Sequence, residues 1–325
     1  MKGFATRPQC HAEAGQWAGG GLPVGVRVKV TLGPAEAGPG WRFVGVDLTG
    51  CPVIPVAIAV VCQTGLSTEL VADPGGEPGH SHPQNTAHIR TVEHLLAALA
   101  TANISDAIIE IDGAEVPLLD GSAREWCTAI SEAGVATLSG PGLRETPAVP
   151  LDAPASVQRG EASVMAVPSP EWRFSYGIDF EDAAIGKQWH SWSPADLPTG
   201  LATEPTTGSA DVEKGPLAVA NSIAPVAAFE AQIGAARTFG LHRQIEQLQA
   251  AGLIRGGSLD NALVCDGERW LNPPLRFANE PVRHKILDLI GDLSLLGAIP
   301  RAHYIAYKAS HALHVGLARA IRDRR

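Results

Sequence analysis

Twice along this chain, strand-like patterning gives way to helix, and that order limits the fold more tightly than any other feature of its 325 residues. In the first round, Val26–Leu32 alternates in the manner of a half-buried strand and Trp41–Asp47 does so less cleanly. Val53–Val61 is a continuous apolar run rich in β-branched residues and reads as a buried strand. Thr91–Asn103 then reads as a helix with Thr91 at its N-cap, Ala107–Asp112 as a strand, and Ser122–Ala133 as a second helix. The second round places strands at Ala162–Val167 and Trp172–Phe180, followed by three helices. These are Arg243–Ala251, stopped by Gly252; Pro281–Leu296, ended by Gly297; and His311–Arg322. Strands followed by helices, twice over, point to an α+β fold of two domains around antiparallel sheets. The Pro- and Gly-rich stretch 139–154 reads as the linker, with an N-terminal domain at 1–138 and a C-terminal one at 155–325.

Composition narrows the functional classes. Hydrophobic residues make up 45% and charged residues 18%, enough to bury a core and unlike a disordered chain. A net charge of −9 excludes a global basic surface for nucleic acid, while leaving room for a local anion pocket. The five cysteines, Cys10, Cys51, Cys62, Cys127 and Cys265, are scattered and form no C-x-x-C pair. That argues against a disulfide scaffold or a thiolate zinc site and suits a reducing compartment. The opening residues lack the apolar run of a signal peptide, and Val53–Cys62 is far short of the ~20 residues a membrane helix needs. The expectation is a soluble, cytoplasmic protein.

Several residues carry possible chemistry. Glu93 and His94 fall in the opening turn of the Thr91 helix, where a carboxylate beside an imidazole can serve as base and metal ligand; alone, the pair is a weak signal and reads more readily as solvent-exposed. His284 and Asp288 lie four apart on the Pro281 helix, so both point to one face and can chelate one cation, and Asp292 continues that face. An ion pair plus a solvated carboxylate is the simpler alternative for that segment. His311 and His314, at the start of the last helix, are candidates for a third ligand or a general acid, or for packed residues. His80, His82 and His88 sit in a Gly/Pro-rich stretch that would hold ligands poorly. Neither a G-x-G-x-x-G nor a G-K-[ST] phosphate loop is present, nor the G-x-S-x-G of serine hydrolases.

Six segments, in order, carry a resemblance: TVEHLLAALA (91–100), EVPLLDGSA (115–123), ARTFG (236–240), RGGSLDNA (255–262), RHKILDLIGDL (283–293) and YKASHALH (307–314). Together they resemble the zinc-dependent UDP-3-O-acyl-N-acetylglucosamine deacetylases of lipid A biosynthesis. The resemblance implies two similar α+β domains, each a mainly antiparallel sheet with helices on one face, packed as a β-α-α-β sandwich with the active site between them. It implies Zn²⁺ held by His94, His284 and Asp288, with Glu93 as general base. His311 would aid the reacting amide, Asp292 would orient that histidine, and Thr238 would hydrogen-bond the developing oxyanion. Phe239 and Lys285 would contact the sugar nucleotide. Segment 240–261 would wall a passage for the acyl chain, with Ile245, Leu253 and Ile254 facing it. The implied partner is UDP-3-O-acyl-N-acetylglucosamine, with no nucleic acid, a monomeric enzyme, and work close to the inner membrane because the substrate is lipidated.

Two positions depart from the family pattern. Pro23 stands in Gly-Leu-Pro-Val-Gly where Gly-Leu-His-[Ser/Thr]-Gly is usual, and His242 stands where an apolar side chain is expected. A neutral imidazole buried without a partner is costly, so His242 is expected to face solvent at the mouth of the passage. Two rival readings remain: a zinc hydrolase of another N-acetylated sugar or amide, and a catalytically degenerate ligand-binding relative. Retention of every implied metal and acid–base residue argues against the second.

Overall fold

The computed structural model describes residues 8–10, 15–20, 27–36, 38–72, 87–137, 150–195, 226–251, 254 and 258–324. Two five-stranded sheets dominate. The first runs, in spatial order, Gly15–Gly20, Arg27–Gly33, Ala107–Ile111, Trp41–Gly45, Val53–Pro55. The second runs Ala155–Arg159, Ala162–Pro168, Ala302–Tyr307, Arg173–Asp179, Lys187–Trp192. In each, the last strand in sequence is inserted at the centre, antiparallel to one neighbour and parallel to the other. The two sheets therefore share one topology, although the sequence shows no clear repeat.

Helices fill the space this topology creates. Helix α1 (Glu93–Thr101) leads into the central strand of the first sheet, and α2 (Arg124–Ala133) follows it. After the short α3 (His242–Ala250), α4 (Glu280–Ser294) leads into the central strand of the second sheet, and α5 (His311–Arg322) follows that. Helices α1 and α4 thus hold equivalent places, and they pack directly on each other. Every residue from Glu93 to Leu99 is buried, as is most of α4: α1 packs on α4 and α2, and α4 packs on α1, on α5 and on the second sheet. The strands supply the matching faces: Val28, Val30, Leu32, Phe43, Ile109 and Ile111 from the first sheet, and Val164, Phe174, Tyr176 and Tyr304 from the second.

Gly291 sets how closely α1 and α4 approach. A Cβ added there would lie 2.2 Å from the carbonyl oxygen of Glu93 and 2.9 Å from its Cα. Only a residue without a side chain lets the two backbones meet at this point.

Some sequence expectations are corrected. Thr91 is not the cap of α1: its φ is 57°, Val92 holds the cap position, and among the described residues no side chain caps the helix. The Thr91 hydroxyl donates instead to Glu115 Oε1 at 2.8 Å. The Val53–Val61 run is not one strand. It breaks after Pro55, forms a 3₁₀ turn at Ile58–Val60, and restarts as Val61–Gln63 in a separate three-stranded sheet with Glu69–Val71 and His88–Arg90. The strands Lys187–Trp192, Leu263–Asp266 and Ala302–Tyr307 were not anticipated. Most of the expected 139–154 linker, together with Pro23, His80, His82 and Leu253, lies outside the described residues. Among the described residues, no helix is long and apolar enough to cross a membrane.

Candidate active site

The contact of α1 with α4 brings together side chains from both halves of the chain. His94 Nε2, His284 Nε2 and Asp288 Oδ1 converge: the potential ligand atoms of these residues all lie within 4.8 Å of one another, and all three residues are buried. His284 Nε2 is 3.2 Å from Asp288 Oδ1, and His94 Nε2 is 3.8 Å from it. The two imidazoles meet edge to face, with centroids 4.9 Å apart.

Three observations fit this group to a divalent cation. Asp288 Oδ1 is buried and accepts no hydrogen bond among the described residues, a costly state for a carboxylate oxygen unless something positive meets it. His284 Nδ1 donates to the carbonyl of Ala236 at 3.0 Å, which leaves Nε2 bare and turned to the cluster. Protonation states agree: burial and the neighbouring His284 push His94 down to about 3, and burial lowers His284, so both rings are neutral. Burial alone would raise Asp288, but His284 and Lys285 outweigh it and hold the carboxyl well below its usual range. Lys285 Nζ donates to Asp288 Oδ2 at 2.8 Å. Two neutral imidazoles and one carboxylate form a donor set of the kind catalytic zinc sites use.

Glu93 and His311 flank the cluster. His311 Nε2 is 3.8 Å from Glu93 Oε1 and 3.9 Å from Asp288 Oδ2. Burial raises the Glu93 carboxyl to about 7, despite the opposing charge of His311. Burial would lower His311, but the charges of Asp292 and Glu93 prevail and carry it up to about 10, so the ring is cationic at neutral pH. Asp292 is the hub behind it. Its Oδ2 accepts from His311 Nδ1 and from His314 Nδ1, each at 2.8 Å, and its Oδ1 accepts from the Thr68 hydroxyl at 2.6 Å. Its carboxyl, which burial would raise, is held at about 2 by the charge of His311 and by the hydrogen bonds from the two histidines. His314 Nε2 lies 2.9 Å from the Tyr176 hydroxyl, so His314 is a packed, hydrogen-bonded residue outside the His94–His284–Asp288 group. Asp292, His311 and His314 also satisfy the spacing of a metal group, but their facing atoms already bond one another, unlike the bare Asp288 Oδ1.

The remaining expected site residues fall into two sets. Phe239 lies beside the cluster, with Lys285 Nζ 5.7 Å from its ring centroid and Phe180 packed edge-on against it. Thr238, two residues beyond the Ala236 carbonyl that holds His284, is fixed by its amide donating to Gly121 at 2.7 Å and its carbonyl accepting from Leu263 at 2.8 Å. The 240–261 segment sits further along the same chain. Ile245, on α3, packs over Gly240, no residue of α3 is buried, and Ile254 beyond it is buried. His242 faces solvent as expected, 43% exposed and 3.8 Å from Glu246. His88 lies not in the Gly/Pro-rich loop but in the strand His88–Arg90, paired through Nδ1 with Glu69. Sequence reasoning missed Thr68 entirely, since one threonine before a short strand carries no spacing or motif.

The chain is similar to known proteins along nearly its whole length. A family model described as UDP-3-O-acyl N-acetylglycosamine deacetylase matches residues 11–323. A UDP-3-O-acyl-N-acetylglucosamine deacetylase of a Nostoc species is 51% identical over 310 residues, covering 95% of this chain and 96% of that protein. The enzyme of the same name from Thermosynechococcus vestitus is 48% identical over 321 residues, covering 99% and 96%. A probable mitochondrial UDP-3-O-acyl-N-acetylglucosamine deacetylase of Arabidopsis thaliana is 39% identical over 282 residues, covering 82% and 74%. With this near-complete match, the chain is an enzyme that belongs to the UDP-3-O-acyl-N-acetylglucosamine deacetylase family.

Proposed function

We propose that the protein is a zinc-dependent amidase that removes the N-acetyl group of UDP-3-O-acyl-N-acetylglucosamine, releasing acetate and UDP-3-O-acyl-glucosamine in lipid A biosynthesis. The observation that carries this reading is the orphaned, buried Asp288 Oδ1 facing two neutral imidazoles, with Glu93 and a cationic His311 alongside. His94, His284 and Asp288 would hold the ion. When bound, zinc supplies Lewis acidity toward a carbonyl and brings the pKa of water at its open position to about 7.

The chain's own residues then divide the proton work. Glu93, whose carboxyl is poised near neutrality, takes a proton from the attacking water and returns one to the departing amine as the carbon–nitrogen bond breaks. His311, held cationic by Asp292, lies across from Glu93 and offsets the negative charge that develops on the acetamide oxygen. Thr238 is assigned to the same oxygen as a hydrogen-bond donor. Lys285 and Phe239, together at one edge of the cluster, are assigned to the sugar nucleotide, and Ile245, Leu253 and Ile254 to the acyl chain. The chain is read as two halves, 1–138 and 155–325, acting as a cytoplasmic monomer near the inner membrane.

Acetate release from the acylated UDP-sugar, measured beside other N-acetylated sugars, tests the reading. The expected result is turnover of the acylated UDP-sugar well above the rest. Bound zinc with turnover only of a different amide would favour the rival hydrolase, and zinc-loaded protein inert on all of them would contradict an amidase.

A further inference from the structure

Thr68 is fully buried, one residue before the strand Glu69–Val71. It touches both carboxylates on which proton handling depends. Its hydroxyl donates to Asp292 Oδ1 at 2.6 Å, and its backbone N–H donates to Glu93 Oε2 at 3.2 Å. The first of these bonds spans 224 residues and joins the two halves of the chain. The second is local to a rigid unit, because Glu69–Val71 pairs with His88–Arg90, which runs directly into α1. Glu69 is itself anchored to that neighbouring strand by His88 and Arg90.

A carboxylate's two oxygens are interchangeable unless their partners differ. At Asp292 they do: Oδ2 is shared by two histidines and Oδ1 faces the Thr68 hydroxyl. Without that hydroxyl, a wholly buried anionic oxygen loses a charge-assisted hydrogen bond, and nothing in this pattern holds Oδ2 on His311. At Glu93 the Thr68 amide takes Oε2, which leaves Oε1 as the oxygen facing His311. We propose that Thr68 is a positioning residue of the deacetylase site, fixing the rotation of Asp292 through its hydroxyl and that of Glu93 through its amide. It acts through those two residues, and the proposal rests on the acid–base roles assigned to Glu93 and His311 above.

The test compares Thr68→Val, which removes the hydroxyl and keeps the N–H, with Thr68→Ser, which keeps both. Thr68→Val should lower kcat about 10–100-fold, the usual loss for a partner behind a catalytic group, with KM and zinc content unchanged. Thr68→Ser should restore kcat. In the metal-free protein, the Nδ1–H proton resonances of His311 and His314 should shift in Thr68→Val and stay in place in Thr68→Ser. If Thr68→Val does not fold, Thr68→Cys, a weak donor, should fall clearly below Thr68→Ser. Wild-type kcat per folded molecule in Thr68→Val, or equal kcat in the Cys and Ser variants, overturns the proposal. Should the wild type release no acetate, the functional reading fails separately; unshifted histidine resonances in Thr68→Val would then overturn the positioning role.

Discussion

Replacing Gly291 with alanine puts a methyl group where helix α1 already lies. The new Cβ would sit 2.2, 2.8 and 2.9 Å from the carbonyl oxygen, carbonyl carbon and Cα of Glu93, all backbone atoms that no rotamer change can move aside. Ordinary contact begins at 3.4 Å, so the shortest of these must open by 3.4 − 2.2, or about 1 Å, which separates α1 from α4. Overpacking of this kind costs about 1–3 kcal/mol of stability. The same displacement carries Glu93 and His94 away from His284 and Asp288, and a misplacement of about 1 Å at reacting groups costs on the order of 10²-fold in rate. The assay is kcat/KM with zinc bound per chain and Tm, read beside Gly316→Ala in α5. At Gly316 a Cβ meets Val157 at 3.5 Å, an ordinary contact, and alanine is favoured in a helix interior by about 1 kcal/mol. Gly291→Ala should be impaired in all three measures and Gly316→Ala in none. Wild-type rate and zinc content in Gly291→Ala would refute the claim that the α1–α4 approach builds the site.

Other outcomes follow from the same geometry. Glu93→Gln should keep zinc and lose about 10²–10⁴-fold in turnover; loss of the metal instead would make Glu93 a ligand. The Glu93 carboxyl, raised by burial from 4.5 to about 7, also ties stability of the metal-free protein to pH. Its contribution is fully present below pH 4.5 and lost as pH rises through 7, roughly 3 kcal/mol that a glutamine cannot lose. Urea unfolding in chelator at pH 4.5 and 7.5 should therefore show Glu93→Gln gaining on the wild type at the higher pH, and an equal difference at both would sink the argument. His242→Leu should leave acyl-length preference nearly unchanged because its ring faces solvent; a large shift toward longer chains would place it inside the passage.

How much of this was legible in the sequence depended on whether a residue acts through its neighbours in the chain or across space. His284, Asp288 and Asp292 sit at four-residue intervals on one helix, so their common face could be read directly, as could the adjacency of Glu93 and His94. Their meeting, implied in the sequence only through the family resemblance, depends on Gly291 touching Glu93, a contact between helices distant in the chain. Thr91 misled because a threonine before an apolar helix signals a cap, whereas its hydroxyl is taken by Glu115. The Val53–Val61 run misled because its hydrophobicity is shared among a strand, a turn and a second sheet. Lys187–Trp192 is an edge strand with largely polar alternation, which blurs the usual signal.

Zinc titration into chelator-stripped protein, with acetate release recorded at each addition, tests the central claim most directly. Turnover should rise from baseline and saturate at one zinc per chain in the wild type, and Asp288→Ala should neither bind the ion tightly nor recover activity. Full turnover in the stripped protein, or tight stoichiometric zinc in Asp288→Ala, would contradict a catalytic ion held by His94, His284 and Asp288.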